Sequence, residues 1–167
     1  SHVIPKGVSS EDYYRQKRYA FLDQVARNCK AAKIALGHHL HDQAETVLMN
    51  LLRGSGLDGL KGFLPIREKR YIRPLMEVSR KEIETYLAAA GITYREDLSN
   101  RSAAFLRNRV RHELIPFLQQ NYNPAIENNL VRMAEILRRD EAFINEHVRE
   151  VMALSSVSPH QDEVSFS

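Results

Sequence analysis

One short apolar segment constrains the fold of this chain more than any other feature. Residues 33–37 read Lys-Ile-Ala-Leu-Gly, which predicts a buried strand that ends at a glycine. A turn at residues 38–40 and a helix at about residues 41–53 should follow. The apolar positions of that helix repeat at helical spacing: Ala44, Val47, Leu48, Leu51 and Leu52. A buried strand that leads directly into an amphipathic helix is typical of α/β folds.

The remaining patterns are mostly helical. Helices are expected at about residues 11–29, 80–90 and 124–154, and from 104 onward with a kink or a new turn at Pro116. Ser79 and Glu82 form a capping-box pattern before the second of these helices, and Gly91 is placed to end it. A further short strand is expected at Tyr71–Arg73. Because a parallel sheet needs several strands, either the sheet is very small or its first strands precede this chain.

Composition narrows the class of protein. The 167 residues are 43% hydrophobic and 27% charged, as in an ordinary globular protein. Cys29 is the only cysteine, which excludes an intramolecular disulfide and a CxxC site within these residues. No apolar run has the length of a membrane span, and no signal peptide is visible. A cytoplasmic protein without a membrane partner is therefore expected.

The charge of the chain is weakly basic, with a net charge of +3 and a pI near 9.1. Two basic clusters stand out: Lys61, Arg67, Lys69, Arg70, Arg73, Arg80 and Lys81, and then Arg101, Arg107, Arg109, Arg111 and His112. Such clusters can bind phosphates and release counterions. They can equally form a solvated basic surface, and the sequence leaves both interpretations open.

A pair of acids follows the turn at the end of the predicted strand. Asp42 and Glu45 are three residues apart, so they are neighbours on one side of the helix. Two close carboxylates can bind an ammonium group or Mg²⁺, although acids in a first helical turn also favour the helix dipole. Ligands of open α/β sheets bind at the carboxyl ends of strands, and the adjacent His38 and His39 favour a functional pair. These histidines lack the HExxH pattern of a zinc site, so no metal ligands are assigned.

The segment FLRNRVRHEL contains three alternating arginines. On a helix, Arg107 and Arg111 share one face, whereas Arg109 points elsewhere. One face of such a helix could hold a phosphate or a carboxylate. The alternative is a basic helix whose aliphatic stems cover apolar surface.

Three blocks of sequence resemble a known family. They are GHHLHDQAETVLMNLLRGSGLDGLKG (37–62), RPLMEVSRKEIETYL (73–87) and EDLSNRSAAFLRNRVRHELIPFL (96–118). In this order and spacing they are similar to the tRNA(Ile)-lysidine synthetases of the PP-loop ATP pyrophosphatase superfamily. The resemblance covers roughly residues 15–118. It implies a Rossmann-like parallel sheet of the adenine nucleotide alpha hydrolase-like type.

The resemblance implies a ligase of tRNA modification. ATP adenylates the C2 oxygen of the wobble cytidine of a tRNA(Ile) with a CAU anticodon. The ε-amine of free L-lysine then displaces AMP to give lysidine, and Mg²⁺ assists with the phosphates. Asp42, Glu45 and Arg107 match the residues for the lysine substrate, with Arg109 as a second choice to Arg107. Arg18, His38 and His39 match positions near ATP.

One motif of the resembled family does not occur in these residues. The family begins with an SGGxDS loop that holds pyrophosphate, and nothing similar is present in the 167 residues. The resemblance therefore implies a piece of a longer protein that is inactive alone. It also implies a division into the C-terminal part of a PP-loop domain (1–115), a helical extension (116–154) and a disordered tail (155–167). A sheet edge left exposed by missing strands could support a homodimer.

Two alternatives remain for the function. The first is a PP-loop tRNA cytidine thiolase, which shares the GHH…D…ET turn, although the iron–sulfur members need cysteines beyond Cys29. The second is a helical RNA-binding or interaction module without catalysis, in which Asp42 and Glu45 only cap a helix. Convergence of Asp42, Glu45 and Arg107 in the folded chain would count against this module.

Overall fold

The structure is a computed structural model that describes residues 10–95 and 106–154. The tail expected at residues 155–167 lies outside the described residues, as do the first two residues of the helix expected from residue 104. The chain divides into two compact units. The first unit comprises Ser1–His38 and Leu64–Leu75, and the second comprises His39–Phe63 and Met76–Ser167.

The first unit is one helix with a small sheet. Helix α1 spans Ser10–Asn28, and the strands are β1 (Ile34–Ala35), β2 (Ile66–Arg67) and β3 (Tyr71–Ile72). The strand order is β1-β3-β2, with β1 parallel and β2 antiparallel to β3. The apolar contacts of this unit are made by Ala26, Ile34 and Tyr71, with Tyr19, Leu22 and Leu36 packed against them. The sheet is therefore mixed rather than purely parallel.

Strand β2 was not expected from the sequence. It joins β3 through Glu68, Lys69 and Arg70, and the first two of these residues have φ angles of +55° and +53°. Tight hairpins favour positive φ at both turn positions, and Gly or Asn normally supplies it. Because neither residue type occurs here, the sequence carries no hairpin signal.

The second unit contains the remaining helices. They are α2 (Leu40–Leu52), α3 (Leu57–Leu60), α4 (Arg80–Ala89), α5 (Leu106–Arg109), a π-helical segment (Val110–Leu114), α6 (Ile115–Asn121) and α7 (Ile126–Leu154). The core of this unit consists of Ala44, Val47, Leu48, Met49, Val110, Ile115, Leu130 and Ala134. Helix α2 therefore lies at the centre of the unit, between α7 and the helical region that begins with α5.

The expected apolar face of α2 is only partly correct. Ala44, Val47 and Leu48 are buried, but Leu51 and Leu52 are more than half exposed. The neighbouring helices cover the first turns of α2 and leave its last turn open. A short helix, α3, follows α2 in a segment that contains Gly54, Gly56, Gly59 and Gly62.

The capping predictions for α4 are confirmed. Ser79 Oγ accepts a hydrogen bond from the Glu82 backbone N–H, and Glu82 accepts one from the Ser79 N–H. Gly91 follows the helix with a φ of +64°, the left-handed conformation that commonly ends helices.

Helix dominates the described residues. The strands form one small sheet, and β1 of this sheet precedes the turn that leads into α2. The predicted α/β class with predominant helix is confirmed. Pro116 stands at the start of α6, directly after the π-helical segment, as expected of a new turn. The domain boundary at residue 115 stays a prediction. Within the described residues, none of the helices combines the length and apolar character that crossing a bilayer requires.

The Gln43 side chain packs closely against Gly62 and holds the loop that follows α3. Gln43 is fully buried, and its side chain donates to Lys61 O (3.2 Å) and accepts from Phe63 N (2.7 Å). A Cβ at Gly62 would lie 2.6 Å from Gln43 Nε2, and the φ of Gly62 is +62°. Gly54 has a similar φ of +74°, but a Cβ there would meet nothing within 4 Å.

We expect Gly62→Ala to destabilise the chain by about 2–4 kcal/mol, because it adds overpacking to left-handed strain. Gly54→Ala is the matched control and should cost only about 1–2 kcal/mol, the strain alone. Urea unfolding of both variants measures the difference. Equal losses would show that Gln43 does not hold this loop.

Candidate functional site

The site begins with two acids on α2. Asp42 and Glu45 lie in the first two turns of the helix, as the strand–turn–helix pattern predicts. The side chain of Asp42 is 15% exposed, whereas that of Glu45 is 1% exposed. A carboxylate as buried as Glu45 needs charged or hydrogen-bonding partners to remain ionised.

Two arginines supply those partners. Arg107 Nε donates to Glu45 Oε2 at 2.8 Å, and Arg111 Nε donates to Glu45 Oε1 at 2.5 Å. Arg111 Nη2 donates to Glu45 Oε2 (3.0 Å) and Asp42 Oδ1 (3.1 Å). Arg107 Nη2 donates to Thr46 Oγ1 at 2.9 Å. Both oxygens of Glu45 are thus engaged by guanidinium groups, and we call Asp42, Glu45, Arg107 and Arg111 the acid–arginine cluster.

The helix that begins at Leu106 explains how two arginines reach one carboxylate. Arg107 and Arg111 are four residues apart and so project from the same face. Arg109 lies outside the acid–arginine cluster, and its Nε is 3.8 Å from Glu113 Oε2. The prediction that Arg107 and Arg111 share a face is confirmed. The π-helical segment starts between them, at Val110. Such segments are rare and occur often at functional sites.

The two histidines near the start of α2 differ in their electrostatics. Burial lowers the pKa of His39 below its ordinary value, which favours the neutral ring at pH 7. His41 Nδ1 lies 2.6 Å from Glu127 Oε1 of α7, and this hydrogen bond raises the pKa of His41. Burial alone would lower the pKa of Arg111, but its hydrogen bond and charge interactions with Glu45 and Asp42 raise it above the usual value. Arg111 therefore stays charged.

A cleft of about 240 Å³ opens beside the acid–arginine cluster. Most of its lining residues have polar or charged side chains: His39, His41, Glu45, Arg80, Arg111, His112, Gln119 and Glu127, with Ile115 and Pro116. Its volume is at the small end of ligand pockets, which suits a ligand of amino-acid size. Among the described residues, no group of three or more His, Cys, Asp or Glu side chains is placed to hold a metal ion.

The other predicted site residues belong to the first unit, apart from His39. Arg73 is buried and donates from Nε to His38 Nδ1 at 3.2 Å, so this nitrogen of His38 is unprotonated. Arg73 also donates to Leu64 O. Arg18 lies exposed on α1. The assignment of Arg18, His38 and His39 to a nucleotide stays a prediction.

Sequence reasoning missed three participants of the site. Arg111, rather than Arg109, is the second arginine at the acids, although its shared face with Arg107 was a usable signal. Helical spacing places Thr46 on the same side of α2 as Asp42 and Glu45, whereas Glu127 carried no signal. Glu127 lies 86 residues from its partner His41, and nothing local in the sequence indicates such a pair.

Comparison with known proteins decides the family. A model of the PP-loop domain matches residues 2–118. The chain belongs to the PP-loop domain family. Its similarity to individual PP-loop proteins adds detail, but the chain spans about a third of the length of the curated relatives it matches.

Several relatives are named tRNA(Ile)-lysidine synthase. The protein from Geobacter sulfurreducens is 49% identical over 146 residues, which are 87% of this chain and 31% of the relative. The protein from Symbiobacterium thermophilum is 43% identical over 148 residues (87% and 31%). The protein from Clostridioides difficile is 41% identical over 139 residues (83% and 30%).

A solved structure supports the fold. The U34-tRNA thiolase NcsA from Methanococcus maripaludis, with its [4Fe-4S] cluster, aligns with a TM-score of 0.61. The alignment covers 81% of this chain and 46% of the thiolase at 23% identity. At this identity the likeness establishes the fold alone.

The His41–Glu127 pair makes the stability of the PP-loop chain depend on pH. Because the pKa of His41 is raised in the folded state, its contribution is complete below the unfolded value of about 6.5 and is lost as pH rises through the folded pKa. We expect His41→Gln to cost more at pH 5.5 than at pH 8.5. The difference should stay below about 1 kcal/mol, since the His41 side chain is 31% exposed and water screens the pair.

Urea unfolding at the two pH values measures this effect. His147→Gln is the control, because His147 lies exposed near Glu150, both of them on α7. A cost of His41→Gln that grows as pH rises would contradict the assignment.

Proposed function

We propose that this chain is part of a tRNA(Ile)-lysidine synthetase, an enzyme that joins free L-lysine to C2 of the wobble cytidine of a tRNA(Ile). The bond formed joins the ε-nitrogen of lysine to C2. The bond broken is that between C2 and the adenylated oxygen, so AMP leaves. ATP and Mg²⁺ are the proposed cofactors, tRNA(Ile) with a CAU anticodon is the partner, and the cytoplasm is the location.

One structural observation supports this specific function in addition to membership of the PP-loop family. Asp42 and Glu45 of α2 come together in the second unit with Arg107 of α5, which lies more than sixty residues later in the sequence. Free lysine carries two ammonium groups and one carboxylate, so a site for it needs acids and at least one base. The acid–arginine cluster contains both, and relatives at 38–49% identity carry the corresponding name. Convergence also weighs against a helical module in which the acids only cap a helix.

Burial assigns different parts to the two acids. Asp42 Oδ1 accepts from Arg111, and Asp42 Oδ2 accepts from the His39 backbone N–H at 3.1 Å. Its side chain nevertheless stays 15% exposed, and we assign it an ammonium group of lysine. Glu45 is covered, and both its oxygens accept from arginines. Glu45 is therefore a positioning residue that holds Arg107 and Arg111. Arg111, which lines the cleft, can pair with the carboxylate of lysine.

The residues for the phosphates of ATP are not assigned in this chain. The SGGxDS motif does not occur in the 167 residues. We propose that Arg18, His38 and His39 lie near the bound nucleotide. A homodimer remains a further prediction, which light scattering would test.

A chimera tests the proposal. In it, the 146-residue matching segment of this chain replaces the corresponding segment of the Geobacter sulfurreducens relative. We expect the chimera to incorporate labelled lysine into tRNA(Ile), and the 167-residue chain alone to be inactive. In the chimera, Asp42→Asn should raise the KM for lysine about tenfold, because one charge-assisted hydrogen bond contributes about 1.5–3 kcal/mol. ATP-dependent adenylation of the tRNA should be largely retained.

Asp58→Asn is the matched control, since the Asp58 side chain on α3 is exposed. Glu45→Gln should also raise the KM for lysine, through displacement of the arginines. If Asp42→Asn binds lysine normally but loses ATP use, the acids serve the Mg²⁺ of the nucleotide and the lysine assignment is wrong. If the chimera thiolates cytidine instead, the thiolase alternative is correct.

A further inference from the structure

The net positive charge of the chain comes from the first unit. Its 50 residues contain eleven lysines and arginines against four acids, a net charge of +7. The 117 residues of the second unit contain thirteen against seventeen, a net charge of −4. The net charge of +3 for the whole chain is therefore the sum of a strongly basic unit and an acidic one. A basic surface of this density attracts a polyanion.

Two arginines of this unit are held over one aromatic ring. The guanidinium of Arg15 lies 5.9 Å from the centre of the Tyr19 ring, and that of Arg67 lies 5.4 Å from it. The two arginines line an open groove of about 350 Å³. Its other lining residues are Gln16, Tyr19, Tyr71 and two acids, Asp23 and Glu68. Cation–π contacts restrict both guanidinium groups, and Arg67 is also ion-paired with Glu68 at 2.6 Å. Both groups are thus prepositioned at one groove.

The hairpin that presents Arg67 is strained. Glu68 and Lys69 both have positive φ angles without being glycine. Such conformations cost free energy and cluster at binding sites. Glu68 also accepts from Arg67 Nε at 2.8 Å, so this acid orients the arginine.

Aromatic surface accompanies the charge on α1. Tyr14 is 59% exposed and lies edge to face with Tyr13, and Lys17 lies 5.6 Å from the centre of the Tyr13 ring. Exposed aromatic rings interleaved with cations are the pattern with which proteins bind single-stranded nucleic acid. The cations follow the backbone, and the rings stack on bases.

We propose that the first unit binds a single-stranded RNA loop through Arg15, Arg67 and Tyr14. Arg15 and Arg67 hold phosphates, and Tyr14 stacks on a base. The choice of RNA rests on the proposed function, in which the substrate is an anticodon loop. The position of the binding surface is inferred from the charge and the side-chain geometry of the first unit, which are independent of the acid–arginine cluster.

Fluorescence anisotropy of the 167-residue chain with a 17-nucleotide anticodon stem-loop of CAU sequence tests the proposal. We expect Arg15→Gln/Arg67→Gln to weaken binding about tenfold or more. The slope of log affinity against log salt should become shallower by about 1.4, as for two lost phosphate contacts on a single strand. The matched control, Arg139→Gln/Arg149→Gln, removes the same charge from exposed positions of α7 and should change affinity less than about twofold.

Tyr14→Leu tests stacking without changing charge and should weaken binding about fivefold or more. Circular dichroism of each variant checks that it is folded. Equal losses in both double variants, unchanged affinity in Arg15→Gln/Arg67→Gln, or no binding by the unaltered chain would overturn the proposal. Because this assay measures binding and the chimera measures ligation, failure of one proposal does not imply failure of the other.

Discussion

The second unit depends on a buried carboxylate that two arginines neutralise. Glu45 lies almost without solvent contact on α2, among residues that form the core. Transfer of an unpaired carboxylate into such a place would be very costly. Arg107 and Arg111 remove that cost, and they belong to a segment more than sixty residues away. The position of α5 and the π-helical segment against α2 is therefore set by charge as well as by apolar contact.

The same constraint organises the candidate site. Pairing with Glu45 directs both guanidinium groups toward the start of α2, where Asp42 keeps some accessible surface. Helix α7 adds a second charged contact at that end of α2 through His41 and Glu127. The cleft beside these groups thus has fixed charges of both signs on its walls. A zwitterionic ligand suits such a wall better than a simple anion or cation does.

Local features of the sequence predicted local structure well. The apolar segment around Ile34 forms a strand, and Ser79 with Glu82 caps α4, because both patterns act within a few residues. Asp42 and Glu45 were found because acids beside a strand-end turn are a local signal. Strand β2 was not predicted, because Glu68 and Lys69 adopt a turn conformation that their residue types disfavour.

The burial of Glu45 could not be predicted, because it depends on long-range packing. Helical periodicity places Glu45 on the polar side of α2, opposite Val47 and Leu48. That side is covered by α5 and the π-helical segment, which no pattern near α2 indicates. The role of Arg111 follows from the same packing. A polar face at a predicted site can therefore be a buried charged interface.

A double-mutant cycle between Glu45 and Arg111 tests the central claim most directly. Urea unfolding of Glu45→Gln, Arg111→Gln and the double variant gives the coupling free energy. A buried pair at 2.5 Å should give about 2 kcal/mol or more. The exposed Arg109–Glu113 pair, at 3.8 Å, is the control and should give less than about 0.5 kcal/mol. A Glu45–Arg111 coupling as small as that of the control would contradict the account.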